Sequence, residues 1–300
     1  MSIGENKLLE WIQTEMPKSR NALLKNGDDA ALLLASPRGV LVATDMLLDG
    51  THFLSTETPP ELIGRKSVAV NLSDIAAMGG RPESLFISLA MPDGTSSEWV
   101  QRVMNGAADI AREFDCGIDG GDTNAWAGPF AINVCVTGSP HWRGVVTRSG
   151  AQDGDVVMVS GLTLGHSLST GRHLTFTPRV REAKWLMDHF PINSMMDISD
   201  GLAEDLPRLA RASSKRIVID AAKITSSQSD EKELKAQLCD GEDFELVFTC
   251  GAQVASQIQK EFPWSCGIRV IGRVESGDGV YLTPLQGGSP QKLTYHGYEH

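Results

Sequence analysis

The chain is poor in the residues that build zinc sites and disulfide frameworks. It has five cysteines and seven histidines among 300 residues. Cys116, Cys135, Cys239, Cys250 and Cys266 form no Cys-x-x-Cys pair and are odd in number. They read as reduced thiols of a cytoplasmic protein, most of them in strands. No His-Glu-x-x-His helix is present, no Gly-x-x-x-x-Gly-Lys-Ser/Thr loop, and no Gly-x-Gly-x-x-Gly after a strand. A bound ATP is therefore held by neither a P-loop nor a Rossmann crevice. No apolar run approaches the ~20 residues of a membrane helix. The first residues, with Glu5, Glu10 and Glu15 among apolar ones, lack a signal-peptide core. Positive charge is also short: 27 basic against 38 acidic residues leave a formal charge of −11. That argues against nucleic acid as the main partner, since the phosphate backbone demands a basic surface. It leaves room for phosphates held locally through Mg²⁺. Hydrophobic residues reach 41%, enough for a full core, and the length suits one large or two ordinary domains.

What is present is a series of short aspartate motifs: Gly27-Asp28-Asp29-Ala30, Thr44-Asp45, Asn71-Leu72-Ser73-Asp74, Gly120-Gly121-Asp122-Thr123 and Asp197-Ile198-Ser199-Asp200-Gly201. Each alone is more often a turn or an N-cap than a ligand. Their placement changes the reading. Asp29, Asp45, Asp74, Asp122 and Asp197 all stand beside small residues, as expected of element ends where a backbone approaches a phosphate. Carboxylates converging on one place repel and are costly to bury, unless divalent cations sit between them. Asp with Ser and Thr hydroxyls suits a hard ion, Mg²⁺ rather than Zn²⁺. Mg²⁺ held by Asp implies a polyanion across the metal, most often a nucleotide triphosphate.

The pattern along the chain predicts an α/β or α+β fold. Leu8, Leu9 and Ile12 have helical spacing, and Ala30–Leu34 and Val40–Thr44 read as strands. A helix opens at Pro59-Pro60 and stops at Gly79-Gly80, with Asn71 and Asp74 on its less apolar face. Leu85–Met91 reads as a strand. Thr95-Ser96-Ser97-Glu98 reads as a capping box before an amphipathic helix to Phe114. Ile118 ends a short strand, Gly120-Gly121 turns the chain to present Asp122, and Phe130–Thr137 is the next strand. A boundary near Arg148-Ser149-Gly150 divides the chain into 1–148 and 149–300. In the second part, strands are expected at Asp155–Ser160, Ser194–Ile198, Ile217–Asp220, Phe244–Cys250 and Ile268–Val274. Helices are expected at Pro178–Phe190, Leu202–Ala212, Glu231–Leu238 and Val254–Phe262. Residues 223–230 read as an exposed loop.

Four further features have two readings each. His52 follows a strand end in Asp49-Gly50-Thr51-His52-Phe53, as a ligand or as a structural side chain. Arg148 offers bidentate phosphate contact or a surface pair. Glu242, in Gly241-Glu242-Asp243, is solvated or faces a cation. Tyr298 lies where termini fray, or stacks on a ligand.

Together these stretches closely resemble the thiamine-monophosphate kinase family, of the superfamily that holds aminoimidazole ribonucleotide synthetase and selenophosphate synthetase. Besides the aspartate motifs they include Gly50-Thr51-His52-Phe53, Ala69-Val70 through Ala77-Met78-Gly79, Thr147-Arg148-Ser149-Gly150, Met196 through Leu202, Gly241-Glu242-Asp243-Phe244-Glu245-Leu246 and Gly297-Tyr298-Glu299-His300. The Asn-Leu-Ser-Asp helix is the most specific piece, and Gly-Glu-Asp-Phe-Glu-Leu separates this family from its relatives. The resemblance implies a two-domain aminoimidazole ribonucleotide synthetase-like α/β fold, with ATP and Mg²⁺ binding in the N-terminal domain. It also implies a homodimer in which the N-terminal sheets pair. It implies phosphorylation of thiamine monophosphate to thiamine diphosphate by ATP. Several Mg²⁺ ions would be held by Asp29, Thr44, Asp45, Asp74, Asp122, Asp197 and Asp200. ATP would meet Gly121, Asp122, Arg148 and Ser199, and the thiamine moiety His52, Glu242 and Tyr298. Asp74, Asp122 and Asp200 would stand closest to the transfer. A phosphate acceptor needs no general base, because its second pKa is about 6. Catalysis then reduces to alignment and charge neutralisation.

One departure is evident. Only ten residues separate Gly161 from Arg172-His173-Leu174, where the family carries a further helix, and His166 stands at a usually acidic position. Substrate identity is touched by this more than phosphoryl chemistry. A relative acting on another small acceptor and a nucleotide-binding homologue without turnover are the rival readings. The chain has no cysteine in its N-terminal loop and no cysteine-bearing tail, unlike selenophosphate synthetases and hydrogenase-maturation relatives.

Overall fold

The computed structural model of the chain describes residues 11–298 except 13, 24–30, 32 and 226–229. These form two compact units. The first takes in the described residues up to Ile75, then Gly80–Trp142 and Leu174–Val180; the second takes in Ala76–Gly79, Arg143–His173 and the chain from Arg181 onward.

The first unit is built on four strands: β1 (Leu41–Leu48), β2 (Arg81–Pro92), β3 (Gly117–Trp126) and β4 (Ala131–Ser139), in the order β1-β4-β2-β3. β4 runs antiparallel to β1 and β2, and β3 runs parallel to β2. One face carries Leu47, Leu85, Ile87, Leu89, Ile132, Val134 and Val136, all buried. On that face lies α1 (Pro60–Ala77), whose Ile75 packs beside Gly80 and Gly138. α1 is buried nearly all round, so Asn71 is fully buried rather than on a polar face. Helix α2 (Ser97–Glu113) is amphipathic as its pattern predicts. Its cap is Ser96, whose hydroxyl accepts from Trp99 N at 3.2 Å; the expected Thr-to-Glu box is not used. The helices touch backbone to backbone: a Cβ on Gly64 would lie 1.8 Å from Val103 O, and one on Gly106 1.9 Å from Glu61 O.

The second unit holds a seven-stranded sheet of β5 (Asp155–Ser160), β6 (Ser194–Asp197), β7 (Arg216–Asp220), β8 (Leu246–Gly251), β9 (Ile268–Glu275), β10 (Gly279–Thr283) and β11 (Gln291–Lys292). The order is β11-β10-β7-β9-β5-β8-β6, with only the β10–β7 pair parallel. Helices α3 (Val180–His189), α4 (Leu202–Ser213), α5 (Ala221–Ile224), α6 (Glu231–Cys239) and α7 (Ala252–Glu261) complete it. Its core joins Val157, Met196, Leu206, Leu209, Ile219, Val247 and Ile271.

Several expectations are corrected. β1 runs on to Leu48, so Asp45 sits mid-strand, and Asp74 lies within α1. Gly120-Gly121 does not turn the chain: β3 passes straight through it, with a register shift opposite Leu85/Phe86. Asp122 is thus also mid-strand. Phe244 has a left-handed backbone (φ 50°) and precedes β8. Leu33 makes only an isolated bridge with Ala22. All five cysteines are free, but only Cys135 and Cys250 lie in strands. Between Gly161 and Arg172 the chain forms turns, and a single 3₁₀ turn follows at Arg172–Leu174. Leu8, Leu9, Asp28, Asp29 and residues 226–229 lie outside the described residues.

Candidate active site

In the first unit, folding puts two of the predicted aspartates together. Val134 pairs with Asp45 in the β1–β4 register, which aims Asp45 at the helix-covered face. There the Asp74 carboxyl comes within hydrogen-bonding reach of it. Burial raises the Asp45 pKa, and the hydrogen bond from Asp74 only partly offsets this. Two carboxylates in contact need a shared proton or a cation. The donor set of this pair, oxygen only, suits Mg²⁺.

Asp122 is placed differently. The rows of paired residues run Met46–Asn133–Ser88–Asp122 and Asp45–Val134–Ile87–Gly121. Neighbouring rows point to opposite faces. Asp122 therefore projects from the outer face at the β3 edge, and Asp45 from the inner face at the β1 edge. Three strand spacings, about 14 Å, separate those edges. One sheet does not bring Asp122 to Asp45 and Asp74. The Asp122 carboxylate accepts from Thr123 N at 2.9 Å and Asn124 Nδ2 at 2.7 Å. Gly121 is required where it stands: φ is +153°, and a Cβ would lie 1.9 Å from Ile87 O. Thr44 is on the outer face too, its hydroxyl shared between Asn133 Oδ1 at 3.2 Å and Val134 O at 3.1 Å. Among the described residues, no group of three or more His, Cys, Asp or Glu is arranged to hold a metal ion.

His52 sits in a closely tied turn. Leu48 N donates to its Nδ1 at 3.0 Å, which leaves Nε2 to carry the proton of a neutral ring. Lys66, fully buried in α1, donates from Nζ to His52 O at 2.9 Å. Asp49 accepts from Ser55 N at 2.8 Å across the turn.

The second unit concentrates the rest. The loop Asp197–Gly201 links β6 to α4. Its Gly201 has φ +97°, and a Cβ there would lie 2.9 Å from Leu238 O, so only glycine serves. Two successive carbonyls of this loop each hold a distant residue. Ser199 O accepts from Glu242 N at 2.6 Å, and Asp200 O accepts from Tyr298 N at 3.0 Å. Ile198 O accepts from Phe244 N at 2.8 Å, and Ile198 N donates to Glu245 O at 2.8 Å. Ser199, Asp200, Glu242 and Tyr298 thus share one small backbone network, although 99 positions separate the first from the last. Asp197 is buried at the end of β6. Arg148 lies in this unit as well; its carbonyl accepts from Ser213 Oγ at 2.9 Å.

Sequence reasoning missed the groups that hold this loop. Arg208 Nη1 contacts Asp200 Oδ2 at 2.6 Å and Asp205 Oδ1 at 2.9 Å, with Glu204 at 3.6 Å from Nη2. Asp205, fully buried, accepts from Asp200 N at 3.0 Å. Burial, then Asp197 and Asp200, push its pKa up to about 7. The spacing of Glu204, Asp205 and Arg208 on one helix face was the available signal. Asp243 lies within the Gly-Glu-Asp-Phe-Glu-Leu motif, and its burial is set by tertiary packing that local pattern does not carry. Its carboxylate accepts from Gly165 N at 2.9 Å and Arg172 Nη2 at 2.5 Å. Burial raises its pKa to about 7, against the Gly165 N–H and the Arg172 charge. The residues on either side, Glu242 (φ 66°) and Phe244 (φ 50°), are both left-handed. For non-glycine residues each such conformation costs about 1–3 kcal/mol and persists only where surroundings over-determine it.

Comparison with known proteins gives the lineage. Residues 27–139 match the N-terminal domain, and residues 152–283 the C-terminal domain, of AIR synthase related proteins. The thiamine-monophosphate kinase of Rhodopirellula baltica is 34% identical over 92% of this chain and 91% of its own length. That of Escherichia coli K12 is 32% identical over 100% and 99%. The latter alignment runs over 333 positions against 300 residues here, so the relative carries sequence without a counterpart in this chain. Among solved structures, a complex described as AaThiL with AMPPCP and TMP superposes with a TM-score of 0.72 at 30% identity, covering 89% and 90% of the two chains. Hydrogenase maturation protein HypE of E. coli has a TM-score of 0.78 at 20% identity over 97% and 95%, a likeness of fold alone. The chain belongs to the AIR synthase related family, and within it to the thiamine-monophosphate kinases.

Proposed function

We propose that this chain transfers the γ-phosphoryl group of ATP to the phosphate of thiamine monophosphate, giving thiamine diphosphate and ADP. The observation that carries the reading is the backbone network of the second unit. It fixes Glu242 and Tyr298 to the successive carbonyls of Ser199 and Asp200. Residues assigned to the acceptor and residues assigned to the donor are thereby held in register, which in-line transfer requires. Family membership supports the same substrates.

In this reading a phosphate oxygen of the acceptor attacks the γ-phosphorus as the bond to the β-phosphate oxygen breaks. Gly121, Asp122, Arg148 and Ser199 hold ATP, Arg148 as a fixed cation beside phosphate. His52 and Glu242 orient the thiamine moiety, Glu242 opposite its cationic ring, with Tyr298 stacked on a ring. Asp29, Thr44, Asp45, Asp74, Asp122, Asp197 and Asp200 would hold Mg²⁺, and Asp74, Asp122 and Asp200 would be the catalytic carboxylates among them. When bound, Mg²⁺ neutralises charge between the two phosphates.

An exposed apolar outer face of the first unit's sheet supports a homodimer joined through residues 1–148. The outer sheet face exposes Val42 (64%), Met46 (57%) and Leu48 (38%). A second copy laid on that face would bury these side chains. Free thiols, and the absence among the described residues of a helix long and apolar enough to cross a membrane, agree with a cytoplasmic setting.

The test is product formation. Purified protein with ATP and MgCl₂ should convert thiamine monophosphate to the diphosphate with one ADP per product. ATP binding without turnover, or turnover of a different acceptor only, would overturn the proposal.

A further inference from the structure

We propose that Arg172 is a positioning residue for the acceptor end of the site. By clamping Asp243, it holds Glu242 in the backbone conformation that meets the thiamine moiety. The role of Glu242 here rests on the function proposed above.

The argument begins with the loop from Gly161 to Arg172. Its two ends are tied by a single guanidinium. Arg172 Nη1 donates to Thr163 O at 2.9 Å, and Nη2 donates to Gly165 O at 2.9 Å and to Asp243 Oδ1 at 2.5 Å. Gly165 adds its N–H to both Asp243 oxygens, at 3.1 and 2.9 Å. That approach needs glycine, because φ is +73° and a Cβ would lie 2.5 Å from Ala236 O. The Asp243 side chain is 1% exposed, so almost all of its solvation comes from these two donors. Asp243 is flanked by the left-handed Glu242 and Phe244. With its neighbours on both sides strained, the Asp243 side chain, together with the Glu242 and Phe244 N–H bonds to Ser199 O and Ile198 O, over-determines the segment.

The donor side has its own anchors. Asp200 is fixed through Arg208 and through its N–H to Asp205, and Gly201 O accepts from Glu204 N and Asp205 N, both at 3.0 Å. Loss of Arg172 should therefore disturb Glu242 far more than the Ser199–Asp200 loop. Arg172 also sits at the end of the stretch where this chain is shorter than expected for its family.

The test compares wild type with Arg172→Ala, Arg172→Lys and Asp243→Asn. Amide hydrogen exchange at Glu242 and Phe244 reads the clamp, and titration with thiamine monophosphate and with a non-hydrolysable ATP analogue reads the site. Arg172→Ala should speed exchange at both amides. It should weaken thiamine monophosphate about tenfold or more, the loss expected for a charged hydrogen bond, with analogue binding changed less than about twofold. Arg172→Lys, which keeps the charge but not the fork, should recover part of both effects. Unchanged exchange in Arg172→Ala and Arg172→Lys would overturn the clamp, whatever the substrate. Faster exchange with equal losses for both ligands would reduce Arg172 to general support and overturn the acceptor role. A wild type that ignores thiamine monophosphate would instead sink the proposed function, and the exchange data would still judge the clamp.

Discussion

Asp74→Asn separates the electrostatic reading of the first unit from every structural alternative, because it should stabilise the metal-free protein while destroying its response to magnesium. Asp45 and Asp74 face each other beneath the sheet within hydrogen-bonding reach, and burial raises the Asp45 pKa. With no cation between them, the two carboxylates can both be charged only against their mutual repulsion. Two unit charges at about 4 Å repel by about 4 kcal/mol at an effective dielectric of about 20. Both side chains are partly exposed, and solvent screening reduces this to about 1–2 kcal/mol. Asparagine removes one charge and gives Asp45 an N–H donor at the same place. In EDTA the variant should therefore melt higher, by about 2–6 °C on the usual scaling for domains of this size. Saturating Mg²⁺ stabilises a protein that binds it by about 2.7 kcal/mol at a hundredfold excess over Kd. Wild type should show that upward shift and Asp74→Asn should lose most of it, along with phosphoryl transfer. The assay is scanning calorimetry in EDTA and in millimolar MgCl₂, at low ionic strength to limit screening. A variant that melts below wild type in EDTA, or that keeps the full magnesium shift, would refute the reasoning.

Two further outcomes follow from the second unit. Burial pushes the folded pKa values of Asp205 and Asp243 up to about 7 from the ordinary aspartate value of 3.8. Between those pH values the native chain binds more protons than the unfolded one, so the contribution of both groups to stability is full below about pH 4 and is lost as the pH rises through about 7. Urea titrations in EDTA at several pH values should show a shallower decline for Asp243→Asn than for wild type over that window; equal slopes would remove Asp243 as a titrating group. Gly297→Ala should detach the tail without unfolding the unit, because the new Cβ would lie 2.1 Å from Asp200 O and 2.8 Å from Glu204 Cβ, an overlap worth about 1–3 kcal/mol. Faster proteolysis after residue 295 and a raised KM for thiamine monophosphate, with the melting temperature nearly unchanged, are expected; a tail as protected as in wild type would count against the anchoring of Tyr298.

The alternation of buried residues in β4, the strong apolar stripe of α2 and the Gly79-Gly80 stop were legible from local pattern, because each reflects one face meeting one core. The aspartate motifs, read together, identified the family before any geometry. Where local pattern misled, a tertiary contact had overridden it. Gly120-Gly121 looks like a turn because glycine commonly makes turns, yet Gly121 serves a strand that passes too close to Ile87 O for any side chain. Phe244 belongs by composition to a strand, but the pairing of Glu242 and Phe244 with Ser199 and Ile198 holds it left-handed.

The amino-acid sequence by itself pointed to the family, and with it to phosphoryl transfer, because the motifs lie together in family order. It could not settle which of those residues meet. That depends on strand register, which sends Asp45 to Asp74 and sends Asp122 to the other face. It depends equally on long-range hydrogen bonds, which hang Glu242 and Tyr298 on neighbouring carbonyls and bury Asp243 under Arg172. Both are properties of chain segments far apart in sequence, and only folding brings them within reach of one another.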